Sequence, residues 1–113
     1  MIQPLTLVSF SYKHGAPPEN AELVIDCRAM RNPWTVPKFR ELTGLNIMVQ
    51  TFVGQDPKFT ELLGLAMERC RFGGTIAFGC LGGKHRSVAM AELCHARLKD
   101  MGYESKVMHM VLQ

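Results

Sequence analysis

Apolar residues run along this chain in short dense blocks, cut apart by glycine, proline and polar clusters. That punctuation predicts alternating strands and helices rather than one long periodic element. Residues 5–10 (Leu-Thr-Leu-Val-Ser-Phe) are expected to form a buried strand, and Ser11-Tyr12-Lys13-His14-Gly15 a loop that leaves it. Pro17-Pro18 bars continued sheet, because proline brings no N–H to a ladder. Residues 22–28 give a second strand with Leu23-Val24-Ile25 at its centre and Asp26 and Arg28 at its C-terminal end. Residues 30–36, with Asn32-Pro33-Trp34, read as loop, and Pro37 opens a short helix through Leu42 that Gly44 stops.

Asp56-Pro57 predicts a helix start, a capping side chain followed by proline at the first helical position. Phe59, Leu62, Leu63, Ala66, Met67 and Cys70 then recur as one apolar stripe at helical spacing, and Gly73-Gly74 ends the unit. Residues 75–78 (Thr-Ile-Ala-Phe) form a short strand, apolar on both faces as in the middle of a parallel sheet. A glycine-rich loop follows, then a helix from near His85 to about Asp100 with Val88, Ala91, Cys94 and Leu98 inward. Gly102 closes it, and residues 105–112 give a last strand. Strand, helix and strand in succession predict a right-handed βαβ crossover. The fold class is α/β, a small layered domain with a mainly parallel sheet.

At 113 residues there is room for one core, so residues 1–113 are expected to form a single domain. Such a domain keeps only about 5–15 kcal/mol of net stability, which makes a homo-oligomer an economical design. Hydrophobic residues at 47% and charged residues at 20% are ordinary globular usage and argue against disorder. The net charge of +3 suits an anionic partner without supplying a polybasic arm. Cys27, Cys70, Cys80 and Cys94 form no Cys-x-x-Cys pair, and their apolar neighbours predict reduced, buried thiols. With no ligands clustered at short spacing, neither a metal nor a cofactor is expected. The sequence shows no signal-peptide run and no span of ~20 apolar residues, so a cytoplasmic location without membrane contact is expected.

The chemistry concentrates on Cys80-Leu81-Gly82-Gly83-Lys84-His85-Arg86-Ser87. A strand that runs through glycines into a helix N-terminus can turn backbone N–H groups toward an anion, aided by the helix dipole. Arg86 offers a planar fork, Lys84 a mobile charge, Ser87 a hydroxyl and His85 a donor. The glycine spacing fits neither a Walker A loop nor a dinucleotide fingerprint. A bare tight turn with solvated charges is the plainer alternative, but glycines, cations and strand–helix context coincide here. Cys80 and Arg86-Ser87 also match the C-x5-R-S pattern of cysteine-dependent phosphatases, in which a thiolate attacks phosphorus. Gly79 stands where those enzymes usually carry histidine, and neither Asp26 nor Asp56 is placed by sequence as a general acid. Cys80 is preferred as a small residue ending a buried strand.

Several separated motifs resemble the C-terminal domain of the RapZ family, the RNase adapter proteins of bacteria. They are residues 78–88 (Phe-Gly-Cys-Leu-Gly-Gly-Lys-His-Arg-Ser-Val), Ser9-Phe10-Ser11-Tyr12-Lys13-His14-Gly15, Val24-Ile25-Asp26-Cys27-Arg28, Asn32-Pro33 and Leu42-Thr43-Gly44-Leu45, in the same order and at similar spacing. The resemblance runs from about Leu5 to the C-terminus. It implies an α/β fold similar to phosphofructokinase, in proteins that also carry an N-terminal P-loop NTPase-like domain. It implies an oligomeric adapter that senses glucosamine 6-phosphate, binds small regulatory RNA and serves a protein partner. Ligand-binding residues carried over are Gly82, Gly83, His85, Arg86, Ser87, the pair Lys13 and His14, and Asp26. The chain departs from the family in three places. Trp34 directly follows Asn32-Pro33 where the family often has His then Trp, Met108-His109-Met110 keeps a histidine but loses two flanking arginines, and a basic tail is missing. Those cations would neutralise RNA phosphates, so RNA binding rests on less than phosphate binding.

The first expectation is a non-catalytic module for a phosphorylated small molecule, an amino-sugar phosphate by resemblance. Arg86, Lys84 and the loop N–H groups hold phosphate, while Lys13, His14 and Asp26 read the rest. The rivals are a phosphatase with Cys80 as nucleophile and Arg86 as clamp, and a pure protein-interaction domain. Asp26 and Arg28 suit an ion pair as well as ligand contact. Trp34 is expected to cap the core, with stacking on a base or sugar as the alternative, His95 to have a structural role, and the eight methionines to be core fillers. Host or phage origin is not legible.

Overall fold

The structure, a computed structural model, describes residues 4–112. Four strands, β1 (Leu5–Ser11), β2 (Leu23–Asp26), β3 (Gly74–Cys80) and β4 (Ser105–His109), form one sheet in the order β2-β3-β1-β4. Every pairing is parallel, with Ser11 level with Cys80 and Ser9 level with both Phe78 and His109. The helices are α1 (Ile47–Gly54), α2 (Phe59–Cys70) and α3 (Arg86–Asp100). The segment β3–α3–β4 is the anticipated parallel crossover, but it passes over β1, which lies between its two strands.

Period-2 alternation divides the sheet into two faces. Leu5, Leu7, Ile25, Ile76, Phe78 and Cys80 join Val49 and Val53 of α1, Leu63, Ala66 and Cys70 of α2, and Cys94 and Leu98 of α3 in one core cluster. Val8, Phe10 and Ala77 are buried but stand outside that cluster, as their alternate positions require. Over them lies the segment after β1, with Tyr12 edge-on to Phe10 at 4.9 Å between ring centres.

The elements differ from expectation where a side chain intervenes. The second strand stops at Asp26 because its Oδ1 accepts from the Arg28 backbone N–H at 2.9 Å and turns the chain. The helix expected over 37–42 is one 3₁₀ turn, Pro37–Phe39, since only Phe39 in it finds burial. No element is expected over 45–55, yet α1 forms there with Asn46 capping the Met48 N–H at 2.8 Å and Val49 and Val53 inward. The last strand ends at His109, after which the chain bends toward the loop following β3. Gly44 lies directly on α3. A Cβ there would stand 2.8 Å from Val88 Cβ, and its N–H donates to the Lys84 carbonyl at 2.8 Å.

Of the methionines, Met30 and Met90 do fill the core, but Met48, Met101, Met108 and Met110 are exposed. Met1 lies outside the described residues. Cys27, Cys70, Cys80 and Cys94 are free and buried, and burial pushes the Cys27 thiol up. Among the described residues no helix is long and apolar enough to cross a membrane.

Asp56 does not begin the helix that its Asp-Pro pair predicts; α2 starts later, at Phe59. Its buried carboxylate accepts from Lys58 N at 2.9 Å and from Arg31 N at 2.7 Å, joining the segment after β2 to the entrance of α2. Burial pushes this carboxyl up, but the two N–H donors and the Arg31 guanidinium outweigh burial and hold it below the usual value of 3.8. The folded state therefore binds this proton less tightly than the unfolded chain. The stabilisation is complete above about pH 5 and is lost as pH falls through the depressed folded value. Asp56→Ala should cost about 1–3 kcal/mol at pH 7. In thermal melts the gap to the parent protein should narrow in acid, as the parent loses the same contribution. A gap unchanged from pH 7 down to pH 2.5 would contradict this account.

Candidate anion-binding cleft

The carboxyl ends of β1 and β3 lie side by side, and the chain leaves both on the same edge of the sheet. Residues 81–85 are fastened there from three directions. Ser11 Oγ donates to the Leu81 carbonyl at 2.6 Å, Lys13 N donates to the same oxygen at 3.2 Å, and Gly44 N holds the Lys84 carbonyl. Gly83 has φ +71°, and a Cβ on it would stand 2.7 Å from Val111 Cγ2 and 2.9 Å from Ser11 Cβ. Only glycine meets both the left-handed backbone and the close approach. Gly79 is held to glycine by the Phe10 and Tyr12 rings pressed against it, which also leaves no room for a histidine before Cys80.

This loop forms one wall of a cleft of about 330 Å³ lined by Lys13, Asn32, Trp34, Cys80, Leu81, Gly82, Lys84, His85 and Arg86. Lys13 and Lys84 are exposed on its rim. Arg86, the first residue of α3, is buried, and its Nη1 donates to the carbonyls of Arg28 (3.0 Å) and Met30 (3.1 Å). Its other guanidinium donors take no partner among the described residues. Arg86 thus shapes the opposite wall, residues 28–34, while keeping donors for the cleft. His85 is also buried. Its Nε2 lies 3.0 Å from the Phe39 carbonyl, which can only accept, so Nε2 carries the proton.

The expected residues do not all line the cleft. Gly82, Lys84, His85, Arg86, Lys13 and Cys80 do, and Gly83 sets the loop's path. Ser87 is fully buried beneath the loop, where its N–H donates to Cys80 Sγ at 3.4 Å and its hydroxyl accepts from the thiol at 3.2 Å. His14 is exposed on the turn after β1 and is not among the lining residues. Asp26 is gripped by Arg28, with Nη2–Oδ2 at 2.8 Å and Nε–Oδ1 at 3.0 Å. That hydrogen bonding holds its carboxyl below the usual range. The Arg28 guanidinium in turn lies 3.8 Å from the centre of the Tyr12 ring. Among the described residues no carboxylate lines the cleft.

Trp34 is the largest departure from expectation. It is 53% exposed, because Pro33 takes the buried place and Asn32 Oδ1 caps the Trp34 N–H at 3.1 Å. Asn32 joins it in the wall, and the signal for both was the Asn-Pro pair, a turn-former that presents the next side chain outward. His95 has the expected structural place, with Nδ1 2.6 Å from Ser105 Oγ. His109 is engaged at both nitrogens, Nδ1 at 2.6 Å from Ser9 Oγ and Nε2 at 2.7 Å from Glu92 Oε2. Among the described residues no three His, Cys, Asp or Glu side chains gather as metal ligands would.

The family model described as the RapZ C-terminal domain matches residues 3–113. Similar curated relatives include nucleotide-binding proteins of Streptomyces griseus, 45% identical over 92% of this chain, and of Thermobifida fusca, 44% identical over 91%. Another, from Acidiphilium cryptum, is 40% identical over 93% of the chain. The matched stretch covers 34% of the first relative and 38% of the other two, so the chain spans little more than a third of their length.

Proposed function

Since this chain belongs to the RapZ C-terminal domain family, we propose that its cleft is the binding site of a regulatory module for a phosphorylated small molecule. One observation carries the proposal: Lys13, Lys84 and Arg86 converge on a cleft that, among the described residues, no carboxylate lines. Three cations facing a cleft with no carboxylate in its described lining favour an anion, and a fork with free donors at the start of a helix suits phosphate geometry. The relatives' printed name, nucleotide-binding protein, agrees with a phosphate-bearing ligand. Gly82, Gly83, Lys84 and Arg86 would hold the phosphate and Lys13 would close over it. His85 and Ser87 would act by fixing the loop, and His14 and Asp26 would contact only the outer part of a ligand.

The family resemblance adds finer expectations: glucosamine 6-phosphate as ligand, RNA and a protein partner, a homo-oligomer in the cytoplasm, and residues 1–113 as one domain. The cleft, rather than the β4 edge, is where this proposal places an anion. At that edge Met108 and Met110 are exposed, and His109 has no ring nitrogen to spare.

The phosphatase reading has the Cys80–Ser87 pairing in its favour. Against it stand a Cys80 only 2% exposed and an Asp26 held by Arg28. Calorimetric titration with glucosamine 6-phosphate, inorganic phosphate and glucosamine tests the proposal. Phosphate compounds should bind saturably and glucosamine should not. Lys13→Ala with Lys84→Ala should weaken binding about tenfold without moving the melting temperature, as expected for exposed charges near an anion. Cys80→Ser should leave binding intact. Absence of binding by every phosphate compound would refute the proposal, and turnover of an aryl phosphate lost in Cys80→Ser would replace it with the phosphatase.

A further inference from the structure

Helix α1 carries apolar side chains on both of its sides. Val49 and Val53 face inward and are buried, while Leu45, Ile47 and Met48 stand 56%, 71% and 48% exposed. A helix that is apolar all round is normally covered all round. Residues 42–55 hold no charged side chain, although a fifth of the chain is charged. An uncharged surface stretch with methionine and phenylalanine where lysine and glutamate are usual has the composition of an interface centre, not of a solvated face. Beside Ile47 and Met48 runs a groove of about 280 Å³, whose other wall is the turn Pro37–Phe39. Its floor is Phe39 and Phe52, edge-on to each other at 5.5 Å between ring centres. Both walls are fixed by local bonds, α1 by its Asn46 cap and the turn by Phe39 N, which donates to the Val36 carbonyl at 2.9 Å.

Charge narrows what this groove fits. Lys38 Nζ lies 5.3 Å from the centre of the Phe39 ring, and the Arg31 guanidinium lies 4.6 Å from that of Phe52. Arg31 shares its charge with Asp56 at 3.5 Å, whereas among the described residues Lys38 pairs with no carboxylate. Among the described residues no carboxylate lines the groove either. An apolar floor edged by cations complements apolar side chains flanked by Asp or Glu. The lining comes from α1, its cap and the turn, so no strand edge offers a backbone ladder and an occupant must engage by side chains. Eight residues give α1 a length of about 12 Å, which matches two to three turns of a second helix laid beside it. We propose that the groove docks an acidic amphipathic helix of a partner protein. Its apolar stripe rests on Ile47, Met48 and the two phenylalanines, and its carboxylates meet Lys38 and Arg31. A nucleic acid would need a row of cations, and among the described residues Lys38 is the one that the lining holds. The groove shares no lining residue with the anion-binding cleft.

The test selects binders of the purified chain from a phage-displayed library of random peptides about 16 residues long, roughly four helical turns. The library is first depleted on Ile47→Asp, which removes peptides that bind elsewhere, the cleft included. Ile47 is exposed and Asp suits the first turn of a helix, so this variant should keep the parent's melting temperature. Enriched peptides should carry apolar residues at i, i+3 or i+4, and i+7, with a surplus of Asp and Glu, and should become helical on binding. By calorimetry Met48→Asp should weaken them at least about tenfold. Lys38→Glu should weaken them about fivefold, and high salt should shrink that difference. No enrichment after depletion, peptides without the spacing or with a basic surplus, or binding that survives Met48→Asp would overturn the proposal. Self-association of the chain in sedimentation, abolished by Ile47→Asp, would also overturn it and give this face to a second copy.

Discussion

Arg86→Ala should weaken phosphate binding by tenfold to more than a hundredfold, the equivalent of about 1.5–3 kcal/mol for a charge-assisted contact. It should also destabilise the fold, which distinguishes it from substitutions at the rim. Nη1 serves two carbonyls, those of Arg28 and Met30, and truncation leaves both without that donor. At about 1–3 kcal/mol for the buried Met30 acceptor left unpaired, and less for the part-buried Arg28 carbonyl, the loss is a large part of a small domain's stability. The melting temperature should fall by about 4–8 °C for each kcal/mol lost. Arg86→Lys keeps the charge but cannot fork between carbonyls and ligand, so it should retain part of the affinity and little of the stability. Affinity for inorganic phosphate equal to the parent's, measured at a temperature where the variant is folded, would remove Arg86 from the site.

Gly83→Val is the second substitution of large effect. At φ +71° a β-branched side chain pays about 1–2 kcal/mol for the left-handed backbone alone. Its Cβ would also overlap Val111 Cγ2 and Ser11 Cβ, and relief of such overpacking costs about a further 1–3 kcal/mol. The loop must lift from Ser11, which loosens the Ser11–Leu81 hydrogen bond and moves Lys84 and Arg86 relative to each other. Binding should fall at least about tenfold, while Gly82→Ala, where a Cβ meets nothing within 4 Å, should leave the melting temperature unchanged. Affinity equal to the parent's in Gly83→Val would show that the loop's path does not set the site.

The strands were legible because their residues are apolar in dense runs, and β3 was underestimated only at Gly74, Gly79 and Cys80, where packing rather than propensity dictates the residue. The order of the strands was not legible, since parallel partners such as Leu5 and Gly74 are joined only through distant chain. Helix α1 was missed although Asn46, Val49, Phe52 and Val53 carry a cap and a helical spacing; the run is short and follows directly on the Gly44 turn. The loop 80–87 announced itself by composition, but its division of labour did not. Sequence offers the same polar groups at Ser87 and Lys84, and only the fold puts one under the loop and the other on the rim. Trp34 was misplaced because aromatic residues are usually buried, and nothing local reveals that Pro33 occupies the core position instead.

The place of β1 in the sheet has a consequence for how the chain is made. Its two neighbours are β3 and β4, both of which lie far downstream in the sequence. A ribosome adding about 5–20 residues per second needs roughly 3–13 s between finishing Ser11 and reaching Gly74. Once they emerge from the exit tunnel, Leu5, Leu7, Val8 and Phe10 spend the rest of that interval with no partner strand to cover them. The segment that becomes the centre of the finished sheet is therefore the nascent chain's chief aggregation hazard, and the one a holding chaperone would engage first.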